Sequence, residues 1–177
     1  GDPLGIGGDS AGPAENYRRA ANLAFSEAVA LRLVEALSRS GQTAPADQVL
    51  ELFRQQNPRN IPAQIIHAAR LMERQDWEGA ILVYESLRTR LGHNDATILN
   101  NLAWAHAQTG DYRAGLPLAR RAWALDRDNP ATADTLGWIL FRSGVDRAGG
   151  LALLERAARG APSDTQIRQR LEQARGG

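Results

Sequence analysis

Apolar residues in this chain recur at helical spacing, in blocks of near-constant length. The block Ala96–Asn129, ATILNNLAWAHAQTGDYRAGLPLARRAWALDRDN, sets the pattern. Its first half carries Leu99, Leu102, Ala103 and His106 on one helical face. Its second half carries Tyr112, Gly115, Leu116, Ala119, Ala122 and Leu125. Between them Thr109-Gly110-Asp111 predicts a helix stop and a restart. Two helices this short cannot bury an apolar face by themselves, so copies must stack on either side.

Copies are present. Glu27–Asn60 has the same length as the reference block, while Ile61–Asp95 and Pro130–Asp164 are one residue longer. Aligned, the first helices place Val34, Ala68, Ala103 and Gly137 at one position, and the turn falls at Gly41, Gln75, Gly110 and Gly144. The second helices place Ala46, Ala80, Gly115 and Gly150 at one position. Larger or apolar residues follow at Leu50, Tyr84, Ala119 and Leu154, then at Phe53, Leu87, Ala122 and Ala157. Small residues let two helices approach, and larger ones fill the space between pairs. The fourth block has its extra residue near Gly149-Gly150, and Pro117 falls inside a predicted helix, where it removes a backbone hydrogen bond.

Local signals complete the reading. Ser26, Thr43, Asp95 and Asn129 are predicted helix caps, the last followed by Pro130. Residues 1–13, rich in Gly, Pro and Asp, read as a flexible linker. Residues 14–25 read as the second helix of a truncated pair, with Tyr17, Ala20, Ala21 and Leu23 on one face. Residues 164–175 read as a capping helix whose apolar side is Ile167, Leu171 and Ala174 and whose other side is polar.

The NNLAWAHAQTGDY and PATADTLGWILFRSG runs, with closing prolines at Pro58 and Pro162, resemble the tetratricopeptide (TPR) repeats. The resemblance covers about Glu27 to Asp164. It implies an all-α, right-handed superhelix of four helix pairs, with a partial N-terminal helix and a C-terminal cap, forming one domain over 14–177. His67 and His106 at usually apolar sites, and Val34 at a usually small one, depart from the repeat pattern. The LNNLAW and DTLGWILF phrases are also similar to those of bacterial TPR lipoproteins linked to exopolysaccharide export and exosortase (PEP-CTERM) systems. That likeness implies an envelope-associated, periplasmic parent with its lipid-bearing cysteine upstream; a cytoplasmic setting is the alternative.

Composition narrows the function. The formal net charge is +1, which gives no electrostatic case for nucleic acid or an anionic membrane. All 21 basic residues are arginine and cysteine is absent, so thiolate chemistry and disulfides are excluded. No apolar run approaches a membrane span. The histidines His67, His93 and His106 have no thiol or second carboxylate at ligand spacing, and no catalytic motif is present. No cofactor, metal or enzymatic activity is expected. Arg120-Arg121, Arg168, Arg170 and Arg175 alternate with acids and amides and read as a solvated face.

Binding is the better prospect. In a helix-pair solenoid the first helices line the concave face. The positions predicted to point there are Leu31, Glu35 and Arg39, then Ile65, Ala69 and Met72, then Asn100, Trp104 and Gln108, then Asp134, Trp138, Phe141 and Arg142. Trp104 and Trp138 are in register, each directly after a small residue. The groove reads as a protein or peptide site with aromatic anchors and polar fixers. Among TPR proteins Asn101 matches an asparagine used for backbone contacts, but the absence of Lys argues against a carboxylate clamp. Carbohydrate stacking on the two tryptophans and self-association into a homo-oligomer are the competing readings.

Overall fold

The computed structural model describes residues 27–177; the predicted linker, the truncated-pair helix and the Ser26 cap lie outside them. Among the described residues the chain is all helix. The helices are α1 (Glu27–Arg39), α2 (Thr43–Gln56), α3 (Ile61–Glu73), α4 (Trp77–Leu91), α5 (Ala96–Gln108), α6 (Tyr112–Leu125), α7 (Pro130–Ser143), α8 (Arg147–Gly160) and α9 (Thr165–Gly176). Every odd-numbered helix from α1 to α7 begins at the first residue of a predicted block. The chain divides after Ala63 into two compact units. The first contains the α1–α2 hairpin. In the second, Gln64–Gly177, α5 packs on α6, α7 on α8, and α9 on α8.

The aligned small positions are buried in every block, and α5–α6 and α7–α8 cross at theirs. Val34, Ala68, Ala103 and Gly137 on first helices are buried, as are Ala46, Ala80, Gly115 and Gly150 on second helices. Leu50, Tyr84, Ala119 and Leu154 are buried too, and so are Phe53, Leu87, Ala122 and Ala157. The approach is tightest in the last pair. A Cβ on Gly137 would stand 2.8 Å from the Gly150 carbonyl oxygen, and one on Gly150 would stand 2.7 Å from the Gly137 carbonyl oxygen. Here α7 and α8 touch backbone to backbone.

The turns are built alike. Gly41, Gly110 and Gly144 have φ of 77°, 81° and 74°, and Gln75 occupies the same left-handed region at 60°. This closes each first helix, and the amide three residues past the helix's last residue reaches back to a carbonyl. Gln42 N–H donates to Leu37 O at 2.8 Å, Asp76 N–H to Leu71 O at 2.9 Å, and Asp111 N–H to His106 O at 2.9 Å. In the fourth pair Asp146 N–H donates to Leu140 O at 3.4 Å, a span longer by one residue. The extra residue of this block is therefore Val145 in the turn, and not one near Gly149-Gly150. A turn absorbs an insertion without rotating the helix faces on either side.

The restart is an aspartate in most pairs. Asp76, Asp111 and Asp146 accept from the backbone N–H of Gly79, Ala114 and Gly149, satisfying an exposed helix-start donor. Asp95 and Asn129 cap as expected, toward Ile98 and Ala131. Thr43 does not cap. It is the first residue of α2, and the cap position belongs to Gln42, whose side chain makes no capping bond. Helix α6 continues through Pro117, which is exposed.

Two substitutions test this account. Gln75 is the sole non-glycine residue at positive φ among those described, a conformation that costs about 1 kcal/mol for a side-chain-bearing residue. Gln75→Gly is expected to raise stability by up to about 1 kcal/mol in denaturant unfolding. Gly137→Ala is expected to lower it by about 1–3 kcal/mol, because backbone must shift to admit the methyl group.

Candidate binding groove

A groove of about 860 Å³ runs across the second unit, in the size range of ligand sites. From the first helices come Met72 and Glu73, then Trp104, Ala107 and Gln108, then Trp138 and Arg142. The turn residue Gln75 and the opening residues of two second helices, Trp77 and Tyr112, add to one side. Helix α9 supplies Gln166, Gln169, Arg170 and Gln173. These four recur at i, i+3, i+4 and i+7, one stripe of a helix. A neighbouring stripe, Ile167, Leu171 and Ala174, is buried. The cap therefore closes the core with one face and walls the groove with the other.

Helix α9 is fixed in rotation by a buried ion pair. Arg170 Nε donates to Asp134 Oδ1 at 3.0 Å, and Arg170 Nη2 donates to Asp134 Oδ2. The side chains are 17% and 5% exposed. The same guanidinium lies over the Trp104 ring, 4.7 Å from its centroid. Asp134 on α7, Trp104 on α5 and Arg170 on α9 are thus one cluster. Burial pushes the Asp134 carboxyl above its ordinary range, and the hydrogen bond and charge of Arg170 pull it part of the way back. The reading of Arg170 as part of a solvated face is corrected here: its planar guanidinium is held along its N–H edge by the carboxylate and on its face by the indole.

Of the predicted groove residues, Met72, Trp104, Gln108, Trp138 and Arg142 line the groove. Arg142 stands over the Trp138 ring at 5.4 Å, and Trp138 also packs on a core cluster of Phe141, Leu154, Leu171 and Ala174. The other predicted residues do not line it. Phe141 is buried in that cluster with Arg147 over its ring. Asp134 is engaged by Arg170. Asn101 donates to the buried Tyr84 hydroxyl at 3.0 Å, tying α5 to α4. Burial raises the pKa of that hydroxyl and the bond from Asn101 lowers it. Asn100 is buried, and its carboxamide oxygen has no partner among the described residues. Ile65 is exposed and Ala69 half-buried, both outside the groove lining. In the first unit, Glu35 and Arg39 pair with each other at 2.6 Å on the surface.

Few groups here could do chemistry. His106 Nδ1 is 4.0 Å from Asp111 Oδ2, and the exposed His93 meets Arg88. Among the described residues no three His, Cys, Asp or Glu side chains are grouped to hold a metal ion, and no helix is long and apolar enough to cross a membrane.

No protein-family model matches the sequence, and no curated protein matches it significantly. Solved structures do match. MamA (residues 41 to the end) from Desulfovibrio magneticus RS-1 aligns over 84% of this chain and 82% of its own, with a TM-score of 0.66 and 14% identity. The Sgt2 TPR domain from Aspergillus fumigatus aligns over 66% and 77%, with a TM-score of 0.57 and 17% identity. PcrH, in complex with the chaperone-binding region of PopD, aligns over 64% and 84%, with a TM-score of 0.51 and 17% identity. The fold is that of the TPR solenoids. At these identities the likeness concerns the fold, and TPR folds carry unrelated ligands.

Arg170→Met tests the cluster. It strands the Asp134 carboxylate among apolar neighbours and is expected to cost about 3 kcal/mol at neutral pH. Without Arg170 the folded-state pKa of Asp134 rises further above its unfolded value. The folded variant then holds a proton that the unfolded chain has released, so its stability falls as pH rises through that window. Acidifying to about pH 4–5 should return part of the loss. Asp134→Asn in the same background should abolish that recovery in chemical unfolding at the two pH values.

Proposed function

We propose that the chain is a non-catalytic scaffold that holds a peptide or a partner's surface segment in the groove of its second unit. The observation that carries this is the convergence of Trp77, Trp104, Tyr112 and Trp138 on one groove bordered by polar side chains. Aromatic residues supply large contact area at little conformational cost and are common anchors of protein interfaces. The peptide-region complex of the similarly folded PcrH supports a helix-pair array in this role. The carbohydrate reading requires open faces on Trp104 and Trp138. Guanidinium groups stand over both rings, which favours peptide. An envelope-associated role in exopolysaccharide export is supported by the LNNLAW and DTLGWILF phrases alone.

The test is affinity capture from the native host, with the intact chain and with Trp104→Ala as baits. A partner retained by the intact chain and lost by at least tenfold from the variant, at unchanged helicity by circular dichroism, is the expected result. Equal capture by both baits would remove the groove from the account.

A further inference from the structure

We infer that the groove takes an extended, proline-containing, non-basic peptide, and that it reads the peptide's main chain through glutamine carboxamides. The inference rests on the groove being a peptide site and adds the class of peptide. Five glutamines line the groove: Gln75, Gln108, Gln166, Gln169 and Gln173. All five are exposed, and their side-chain amides have no hydrogen-bond partner within the described residues. Each offers donors and an acceptor together.

A helical ligand has its backbone N–H and C=O groups bonded internally. Against such a ligand these carboxamides would lose water and gain little. An extended segment brings unpaired main-chain groups, and burying amides against them replaces the lost water bonds. A polyproline II segment fits best. Its carbonyls are solvated and free to accept, its conformation is already set, and its rings pack on aromatic surfaces. Trp77 and Tyr112 supply those surfaces beside Trp104 and Trp138, whose rings carry Arg170 and Arg142.

Charge sets the remaining limit. The one carboxylate in the lining, Glu73, is engaged by Arg70 at 2.9 Å, and Asp134 is engaged by Arg170 of the lining. Arg142 has no carboxylate partner among the described residues; it stands over the Trp138 ring. The lining thus holds an uncompensated cation and no uncompensated anion. A lysine or arginine in the ligand would meet repulsion with nothing to offset it.

A randomised dodecapeptide display library panned on the intact chain tests this, with Trp104→Ala as the subtraction bait. Enriched peptides are synthesised and titrated by calorimetry against the intact chain and against Gln166→Ala/Gln169→Ala/Gln173→Ala. That triple change is on an exposed helix face and exchanges each residue for a better helix former, so the fold is retained. We expect proline-containing sequences depleted in Lys and Arg, bound at least tenfold more weakly by the triple variant. Arg142→Glu should bind basic variants of the same peptides three- to tenfold better than the intact chain does. Winners with apolar residues at helical spacing, or equal affinity for the triple variant, would overturn the inference while leaving the groove as a peptide site. Failure to enrich anything that depends on Trp104 would overturn both.

Discussion

The close crossing of α5 with α6 and of α7 with α8 is the constraint on which the rest of the second unit depends. Contact at that distance admits Ala, Gly or Val at one point on each helix, and the chain supplies such a residue in every block. At Gly137 and Gly150 even a methyl group would collide with backbone. Once the crossing point is fixed, the orientation of every other side chain follows from the helical period. The residue next to the small one is turned away from the partner helix, which is how Trp104 after Ala103 and Trp138 after Gly137 come to the groove while Ala103 and Gly137 do not.

The turns transmit this constraint from one helix to the next. A left-handed residue followed by an Asp cap stops one helix and starts another within a few residues. The fourth pair shows what the device tolerates. Val145 lengthens the turn, Asp146 still reaches Leu140 and still caps Gly149, and Gly150 still meets Gly137. Insertion within a helix would have turned Leu154 and Ala157 out of the core.

The fold was legible because period, block length and turn residues all repeat, so each block tests the others. Block starts, the buried small positions and the apolar face of the cap could be read without coordinates. The groove was legible only in part. Positions on first helices could be counted, and they placed Met72, Trp104, Gln108, Trp138 and Arg142. Contributions from elsewhere could not be counted. Trp77 and Tyr112 arrive from second helices, and α9 lies beyond the repeat, so nothing aligned it with the first helices. Its signal was nevertheless present in the 166, 169, 170 and 173 spacing, a polar stripe too regular in amides to be only a solvated back. Asp134 was assigned to the groove by its position on a first helix, and Asn101 by its match to an asparagine of TPR proteins. Each instead meets a partner distant in sequence, Arg170 and Tyr84, and such pairings carry no local pattern.

The Asp134–Arg170 pair explains why the cap can serve as a wall. Ile167, Leu171 and Ala174 supply the apolar contact that holds α9 to the array, but such contact is non-directional and resists small rotations weakly. A carboxylate–guanidinium fork is directional. The energy recovered by such a pair roughly balances its desolvation, so its consequence is orientation more than stability. By fixing α9 about its axis it sets Gln166, Gln169 and Gln173 in the groove lining together with Trp104 and Trp138. The stacking of Arg170 on Trp104 sets the indole in the same step. One ion pair thereby orders both walls before any ligand arrives, which lowers the entropy that binding must overcome.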